Sequence, residues 1–147
     1  MLDTITQRRT ATIRFWLPFP PSCNTLWRYD RGRVHLATAY VRWKRQASAA
    51  AREQDLFRYP VLGRHTIEVK LSERLIGRRG DADNRLKAVC DWCQRVRLII
   101  DDADCRKATI EWADIDRDCL VTLRGEIADG EYAALIAARR AIGRAVA

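Results

Sequence analysis

The sequence lacks any long apolar run and any segment typical of an export signal. No stretch approaches the roughly 20 consecutive apolar residues that a membrane-spanning helix requires. Arg8 and Arg9 near the N-terminus are not followed by the apolar core of a signal peptide. We therefore expect a cytoplasmic protein that has no membrane partner.

Lysine and histidine are scarce, and cysteine occurs in an odd number. Lysine occupies only positions 44, 70, 87 and 107, and the two histidines, His35 and His65, stand alone. Five cysteines in a chain without an export signal favour free thiols over disulfides. Cys90 and Cys93 form a CxxC pair, but no second pair completes a zinc site, so buried thiols are the preferred interpretation.

Arginine, by contrast, is in excess. Lysine and arginine together number 27 against 19 acidic residues, and the net charge is +8. A planar guanidinium donates two hydrogen bonds to a phosphate, so such an excess on a small chain suits a polyanionic partner. A solvated arginine-rich surface explains the charge equally well, and charge alone therefore does not decide the function.

The spacing of apolar residues predicts the order strand, helix, strand, helix, strand, strand, helix. The predicted strands cover residues 12–17, 65–71, 107–113 and 119–123, and the helices 38–56, 84–96 and 131–146. Thr38 and Asp129 are the predicted caps of the first and last helices, and the polar turn 114–118 is typical of a hairpin. This order predicts an α+β fold with a small mixed sheet and helices packed on it. We expect one domain over residues 1–147, in which 129–147 add a C-terminal helix.

Two predicted loops concentrate arginine. The candidate phosphate contacts are Arg28, Arg31 and Arg33 in the loop 22–36, and Arg74, Arg78 and Arg79 in the loop 72–80. In the first loop, Trp27 and Tyr29 either stack on exposed bases or pack on the core. We expect the second of these arrangements.

An acidic cluster stands out on this basic background. Asp81 and Asp83 are two residues apart, so in an extended chain both face one side. Lys87 lies one helical turn after Asp83, and Asp102 ends an apolar segment that follows the helix. When carboxylates gather in one place, at least one takes up a proton unless a cation intervenes, and Mg²⁺ is a cation that prefers oxygen ligands. The alternative is structural, with Asp83 capping the helix and Lys87 pairing with Asp83 or Asp91 on a solvated face.

The motifs in this cluster resemble the RusA family of Holliday junction resolvases. The matching residues are Asp81-x-Asp83-Asn84-x-x-Lys87, then Asp91, then Ile100-Asp101-Asp102, preceded by Leu17-Pro18-x-Pro20-Pro21-Ser22-x-Asn24, Trp27-Arg28, Gly32-Arg33 and Tyr40-x-x-Trp43. The resemblance runs from about residue 12 to residue 123. Two separate motifs in the right order are far more specific than a single DxD.

The resemblance implies a magnesium-dependent endodeoxyribonuclease, for which Mn²⁺ can substitute. Such an enzyme binds four-way DNA junctions as a homodimer, uses no small-molecule cofactor, and resolves them by paired symmetric nicks during recombination and repair. Asp81, Asp83 and Asp102 occupy the positions of the metal-binding aspartates, and Lys87 that of the catalytic lysine. Asp101 is a weaker candidate.

Two other interpretations stay open. The chain could bind branched DNA without cutting it, in which case it would not need a metal to act on junctions. Alternatively, Glu68-Val69-Lys70 contains the ExK half of a restriction-type nuclease site, although no upstream Pro-Asp completes that motif. Because residues two apart on a strand share one face, a solvated face explains Glu68 and Lys70 without catalysis.

Overall fold

Alternation of apolar and polar residues along the strands builds one buried sheet face. A computed structural model describes residues 8–25, 27–76, 81–128, 130, 134, 138 and 141, without the side chains of residues 25, 27, 28, 35 and 36. The four long strands are β1 (Thr10–Leu17), β4 (Leu62–Ser72), β5 (Cys105–Ala113) and β6 (Cys119–Ile127). In β1, Ile13 and Leu17 are buried whereas Thr12 and Arg14 are exposed, as period-two alternation requires.

Two helices cover the buried face of this sheet. They are α1 (Thr38–Glu53) and α2 (Leu86–Arg95), and Trp43 of α1 and Trp92 of α2 join the strand residues in one core. The Phe15 and Trp92 ring centroids lie 6.1 Å apart. The predicted α+β class, a small mixed sheet with helices packed on it, is therefore confirmed.

The strand order is β1-β6-β4-β5, and it corrects one prediction. β4 runs parallel to β5 and antiparallel to β6, while β1 pairs with β6 alone. The predicted hairpin between the last two strands is wrong, because β4 lies between them. Five residues, 114–118, extend up to about 17 Å, which exceeds the roughly 10 Å across two strand spacings. The turn thus crosses the end of β4, where the Ser72 N–H donates to the Asp118 carbonyl at 2.9 Å.

The segment predicted as a loop over 22–36 contains a second, two-stranded sheet. Strands β2 (Trp27–Asp30) and β3 (Arg33–Leu36) pair antiparallel across a two-residue turn. Arg31 and Gly32 in that turn both have positive φ, 48° and 77°, as a type I′ hairpin turn requires. The strand signal was missed because each strand has only four residues and carries charges.

The helices match their predicted positions within a few residues, with one correction. Thr38 is not the cap of α1, because Ala37 occupies the cap position and no side chain caps there. The buried side chains of α1 are those of Tyr40, Trp43, Ala47, Ala50 and Ala51. Those of α2 are Ala88, Val89, Trp92 and Cys93.

The outer edge of β1 is held by a side chain from the end of α1. Gln54 Oε1 accepts from the Trp16 N–H at 2.9 Å, and Gln54 Nε2 donates to the Trp16 carbonyl and to the Ala50 carbonyl, both at 2.9 Å. The amide therefore reproduces the two hydrogen bonds that a neighbouring strand would make with Trp16.

The predicted C-terminal helix over 131–146 falls almost wholly outside the described residues and stays a prediction. Within the part of the chain that is described, no helix has the length and apolar character needed to cross a membrane.

Candidate active site

The two halves of the family motif meet in space. The 3₁₀ turn Cys23–Thr25, which follows the proline-rich segment, contacts the 3₁₀ turn Asp83–Arg85 just before α2. Cys23 Sγ lies 3.6 Å from Asn84 Oδ1 in hydrogen-bonding geometry. The two turns are therefore in contact in the fold, although residues 26–82 lie between them in the sequence.

A buried arginine fixes this contact. Arg85 is 6% exposed, and its Nη1 donates to the Pro20 carbonyl at 2.8 Å. Its guanidinium also lies over the Phe19 ring, 4.7 Å from the ring centroid, an arrangement in which the cation is attracted to the π face. Arg85 thus joins the proline-rich segment to the acidic turn. Sequence reasoning missed this role, because nothing in the spacing distinguishes Arg85 from a surface arginine.

Asp81 and Asp83 are exposed at the entrance to α2 and share one neighbour. Asn84 Nδ2 donates to Asp81 Oδ2 at 3.4 Å, and the Asn84 backbone N–H donates to Asp83 Oδ1 at 3.0 Å. Asp83 begins the 3₁₀ turn but does not cap α2, which has no side-chain cap at its N-terminus. Each carboxylate keeps one oxygen with no protein donor among the described residues.

Lys87 is paired with a carboxylate of its own helix. Its Nζ forms an ion pair with Asp91 Oδ2 at 3.1 Å across one helical turn. The pKa of Lys87 is raised, first by its hydrogen bond to Asp91, then by the Asp91 charge, and less by the charge of Asp102. Lys87 is therefore a cation throughout the neutral pH range, and the charges of Asp91 and Asp102 both act on it. Tyr40 of α1 is buried beside them, and burial together with Asp91 raises its pKa.

Asp102 is positioned by the end of α2. Its backbone N–H donates to Gln94 Oε1 at 2.9 Å, at the start of the 3₁₀ turn Asp102–Asp104. The preceding Asp101 caps this turn, since its Oδ1 accepts from the Ala103 N–H at 2.9 Å. Asp101 therefore has a structural role that does not require a metal. A depression lined by Asp91, Gln94, Arg95, Arg97 and Asp102 opens beside this turn.

The predicted metal ligands do not form a ready-made cluster. Within residues 8–25, 27–76 and 81–128, no group of three His, Cys, Asp or Glu side chains is close enough to hold one ion. Asp81 and Asp83 lie together at the entrance to α2, and Asp102 lies beside Lys87 and Asp91. The donor chemistry suits Mg²⁺, because all three candidates offer exposed carboxylate oxygens. The assignment of Asp81, Asp83 and Asp102 as ligands stays a prediction.

The candidate phosphate contacts differ in how they are placed. Arg31 and Arg33 are exposed at the tip of the β2–β3 hairpin. Arg74 is engaged within the protein, since its Nε donates to Ser72 Oγ at 3.1 Å and its Nη2 to the Ile115 carbonyl at 3.4 Å. The side chain of Arg28 and all of Arg78 and Arg79 lie outside the described residues.

The expectation for Tyr29 is wrong. Its side chain is 76% exposed on the β2–β3 hairpin and does not pack on the core, because this small sheet stands apart from the main one. Val34, its cross-strand partner, is 64% exposed. The hairpin thus presents an aromatic ring beside two arginines. The side chain of Trp27 lies outside the described residues.

The ExK residues and the CxxC pair are explained by their surroundings. Glu68 and Lys70 lie on the sheet face opposite the helices, and Lys70 Nζ is 3.9 Å from Glu68 and 4.0 Å from Glu111. This is the shared polar face that strand alternation predicts. Cys90 and Cys93 are free thiols. Burial is the main cause that raises the pKa of Cys90 to about 12.

Comparison with known proteins adds no further constraint. No protein-family model matches the chain, and no curated protein matches it. The resemblance to the RusA family therefore depends on the motifs and on the side chains that surround them.

Proposed function

We propose that the protein is a magnesium-dependent, structure-specific endodeoxyribonuclease of the RusA type. On this proposal it acts in the cytoplasm as a homodimer and resolves four-way DNA junctions. The observation that carries the proposal is the setting of Lys87, a cation paired with Asp91 on the helix that Asp81 and Asp83 precede. The charge of Asp102 also acts on Lys87, since it contributes to the raised pKa of this lysine. The packing of the proline-rich turn against the Asp83–Arg85 turn adds support, since it unites the two motif halves.

The residues have distinct parts in this chemistry. Asp81, Asp83 and Asp102 would hold Mg²⁺, which when bound lowers the pKa of its water and neutralises phosphate charge. Lys87 donates to a phosphate oxygen as negative charge develops during attack. Asp91 orients Lys87 and raises its pKa before DNA binds. Two like-polarity strands must be cut, and a two-fold dimer supplies one site for each.

One observation favours a non-catalytic DNA-binding protein as the second candidate. Among the described residues no three ligand side chains stand together, and Lys87 is already paired with a carboxylate. On this second proposal the acidic residues are structural and the arginines hold the phosphates. Binding of junctions would then be complete without a metal.

Cleavage of a labelled four-way junction tests the proposal. The wild type is compared with Asp83→Asn on the junction and on a linear duplex of the same sequence, each with Mg²⁺ and with EDTA. Asp116→Asn, an equal change of charge in the exposed 114–118 turn, is the matched control. We expect paired nicks in the junction only, lost in EDTA and reduced at least about 100-fold by Asp83→Asn, whereas Asp116→Asn cuts normally.

Two other outcomes would each favour one of the alternative functions. Tight junction binding without nicks in Mg²⁺ or Mn²⁺ would leave the non-catalytic protein as the answer. Loss of cutting in Glu68→Gln, with Asp83→Asn still active, would identify the ExK residues as the site.

A further inference from the structure

A basic groove runs between the exposed sides of the two helices. The α1–α2 groove, about 930 Å³ in volume, is lined by Lys44, Arg45 and Arg52 of α1, Arg95 of α2, and Val41, Ser48, Phe57 and Val96. It lies outside the acidic cluster and outside both arginine-rich loops named above. Four of its eight lining side chains are cations, and none is a carboxylate.

The cations that line the groove are not paired with carboxylates among the described residues. Lys44, Arg45, Arg52 and Arg95 form no ion pair with any described carboxylate, unlike Lys70 and Lys87. The pKa of Lys44 is lowered, first by partial burial and then by the charge of Arg95. Cations that repel one another in a shared groove leave a positive potential that attracts an anion.

The spacing of the cations suits a chain of phosphates. Lys44, Ser48 and Arg52 follow one another at intervals of four residues, so they lie along one face of α1. From the first to the last the helix rises about 12 Å. Along the axis of duplex DNA the phosphates of one strand repeat about every 3.4 Å, so this length spans a few phosphates. A single small anion would occupy only part of such a groove.

The groove is continuous with the proposed active site. Arg95 lines both the groove and the depression that contains Asp91 and Asp102. Lys44 Nζ also lies 4.9 Å from the centroid of the Tyr40 ring, and Tyr40 is electrostatically coupled to Asp91 and Lys87. A strand whose phosphate lies at Lys87 therefore meets the groove beside it.

We propose that the α1–α2 groove binds the phosphodiester backbone of the DNA strand that extends from the active site. The inference rests on the proposed function for the identity of the strand as DNA. Its contacts are to phosphates, because half of the lining side chains are cations and Ser48, the neutral polar one, already accepts from Trp92 Nε1. The groove therefore adds affinity without base specificity.

The test measures binding without cleavage. Fluorescence anisotropy with a labelled junction in EDTA, at several salt concentrations, compares the wild type with K44Q/R52Q/R95Q. We expect the triple variant to bind at least about tenfold more weakly at 0.15 M salt. We also expect its slope of log affinity against log salt to fall by about 0.9 for each lost phosphate contact. R42Q is the matched control, since Arg42 is exposed on the same helix but does not line the groove.

Several outcomes would overturn the inference. The inference fails if the wild type does not bind DNA in EDTA. It also fails if the triple variant has an unchanged salt slope, or if R42Q loses as much affinity per removed charge as the triple variant does. Groove-dependent binding of an acidic peptide or of RNA in preference to DNA would also reject it. Melting curves confirm that each variant is folded.

Failure of the groove and failure of the proposed function are distinguishable. If the wild type cuts junctions in Mg²⁺ while the triple variant binds normally, the nuclease stands and the groove inference fails. If the wild type binds through the groove but cuts nothing, the nuclease proposal fails and the groove stands.

Discussion

Replacement of Gln54 by alanine tests how the free edge of β1 is stabilised. The Gln54 amide makes two hydrogen bonds with the backbone of Trp16 and one with the Ala50 carbonyl, each 2.9 Å long. Q54A removes all three and leaves the Trp16 N–H and carbonyl without their partner. No charge changes, and no large apolar group is lost.

The expected cost follows from the hydrogen bonds. A typical hydrogen bond contributes about 1 kcal/mol net, and a buried group left without a partner costs about 1–3 kcal/mol. Because Trp16 is half-buried, water can replace part of what is lost. We therefore expect Q54A to lower the free energy of unfolding by about 2–3 kcal/mol, which shifts the melting temperature by roughly 5–10 °C in a domain of this size.

Guanidinium denaturation followed by tryptophan fluorescence measures this change. Q54E is the informative second variant, because a carboxylate accepts from the Trp16 N–H but cannot donate to the two carbonyls. It should be no more stable than Q54A. Q46A, at an exposed position of the same helix, controls for the loss of a glutamine. A Q54A value within about 0.5 kcal/mol of Q46A, the usual scatter of surface substitutions, would refute the reasoning.

Two further predictions concern the sheet and the candidate site. A Cβ at Gly125 would lie 2.6 Å from the Arg64 carbonyl oxygen, whereas one at Gly63 meets nothing closer than 3.9 Å. G125A should therefore lower the free energy of unfolding by about 1–3 kcal/mol more than G63A in the same denaturation assay, and equal effects would contradict this contact. D91N removes the negative charge that raises the pKa of Lys87 and leaves only a neutral acceptor for its hydrogen bond, so Lys87 should lose its proton at lower pH. The decline of junction cutting at alkaline pH should then begin at lower pH than in the wild type, and superimposable profiles would exclude this role for Asp91.

Local patterns in the sequence predicted which segments form helices and strands better than they predicted which strands pair with one another. Ile13 and Leu17, like Ile67 and Val69, alternate with polar residues, and both strands form with those side chains in the core. Alternation does not identify a neighbour, however. The hairpin prediction failed because a short polar turn connects adjacent strands and also strands with one strand between them. The arrangement is decided by the pairing of β4 with β5, which run parallel and are connected through α2.

In the candidate site, too, local features could be predicted from the sequence, whereas contacts between distant segments could not. The motif spacing placed Asp81, Asp83 and Lys87 at the start of one helix, since residues close in sequence stay close in a turn. The partners from elsewhere could not be predicted. Gln94 holds Asp102 through its backbone, and Arg85 reaches the carbonyl of Pro20. Such contacts depend on how distant segments pack, which no local pattern encodes.

The position of β6 has a consequence for how the chain folds. Thr10 of β1 pairs with Glu126 of β6, and more than a hundred residues lie between them in the sequence. On its other edge, β6 pairs with β4. β6, the last of the four described long strands to leave the ribosome, therefore enters the middle of the sheet, and until it arrives β1 and β4 each expose an unpaired edge. Closing so long a loop costs about 2 kcal/mol more than closing one of ten residues. Gln54 joins β1 to α1 across only 38 residues, but it does so at the outer edge of β1, so the edge that later pairs with β6 stays open. Completion of the sheet is thus a late, long-range event, and an N-terminal fragment that lacks β6 leaves the edges of β1 and β4 open to pair with other chains.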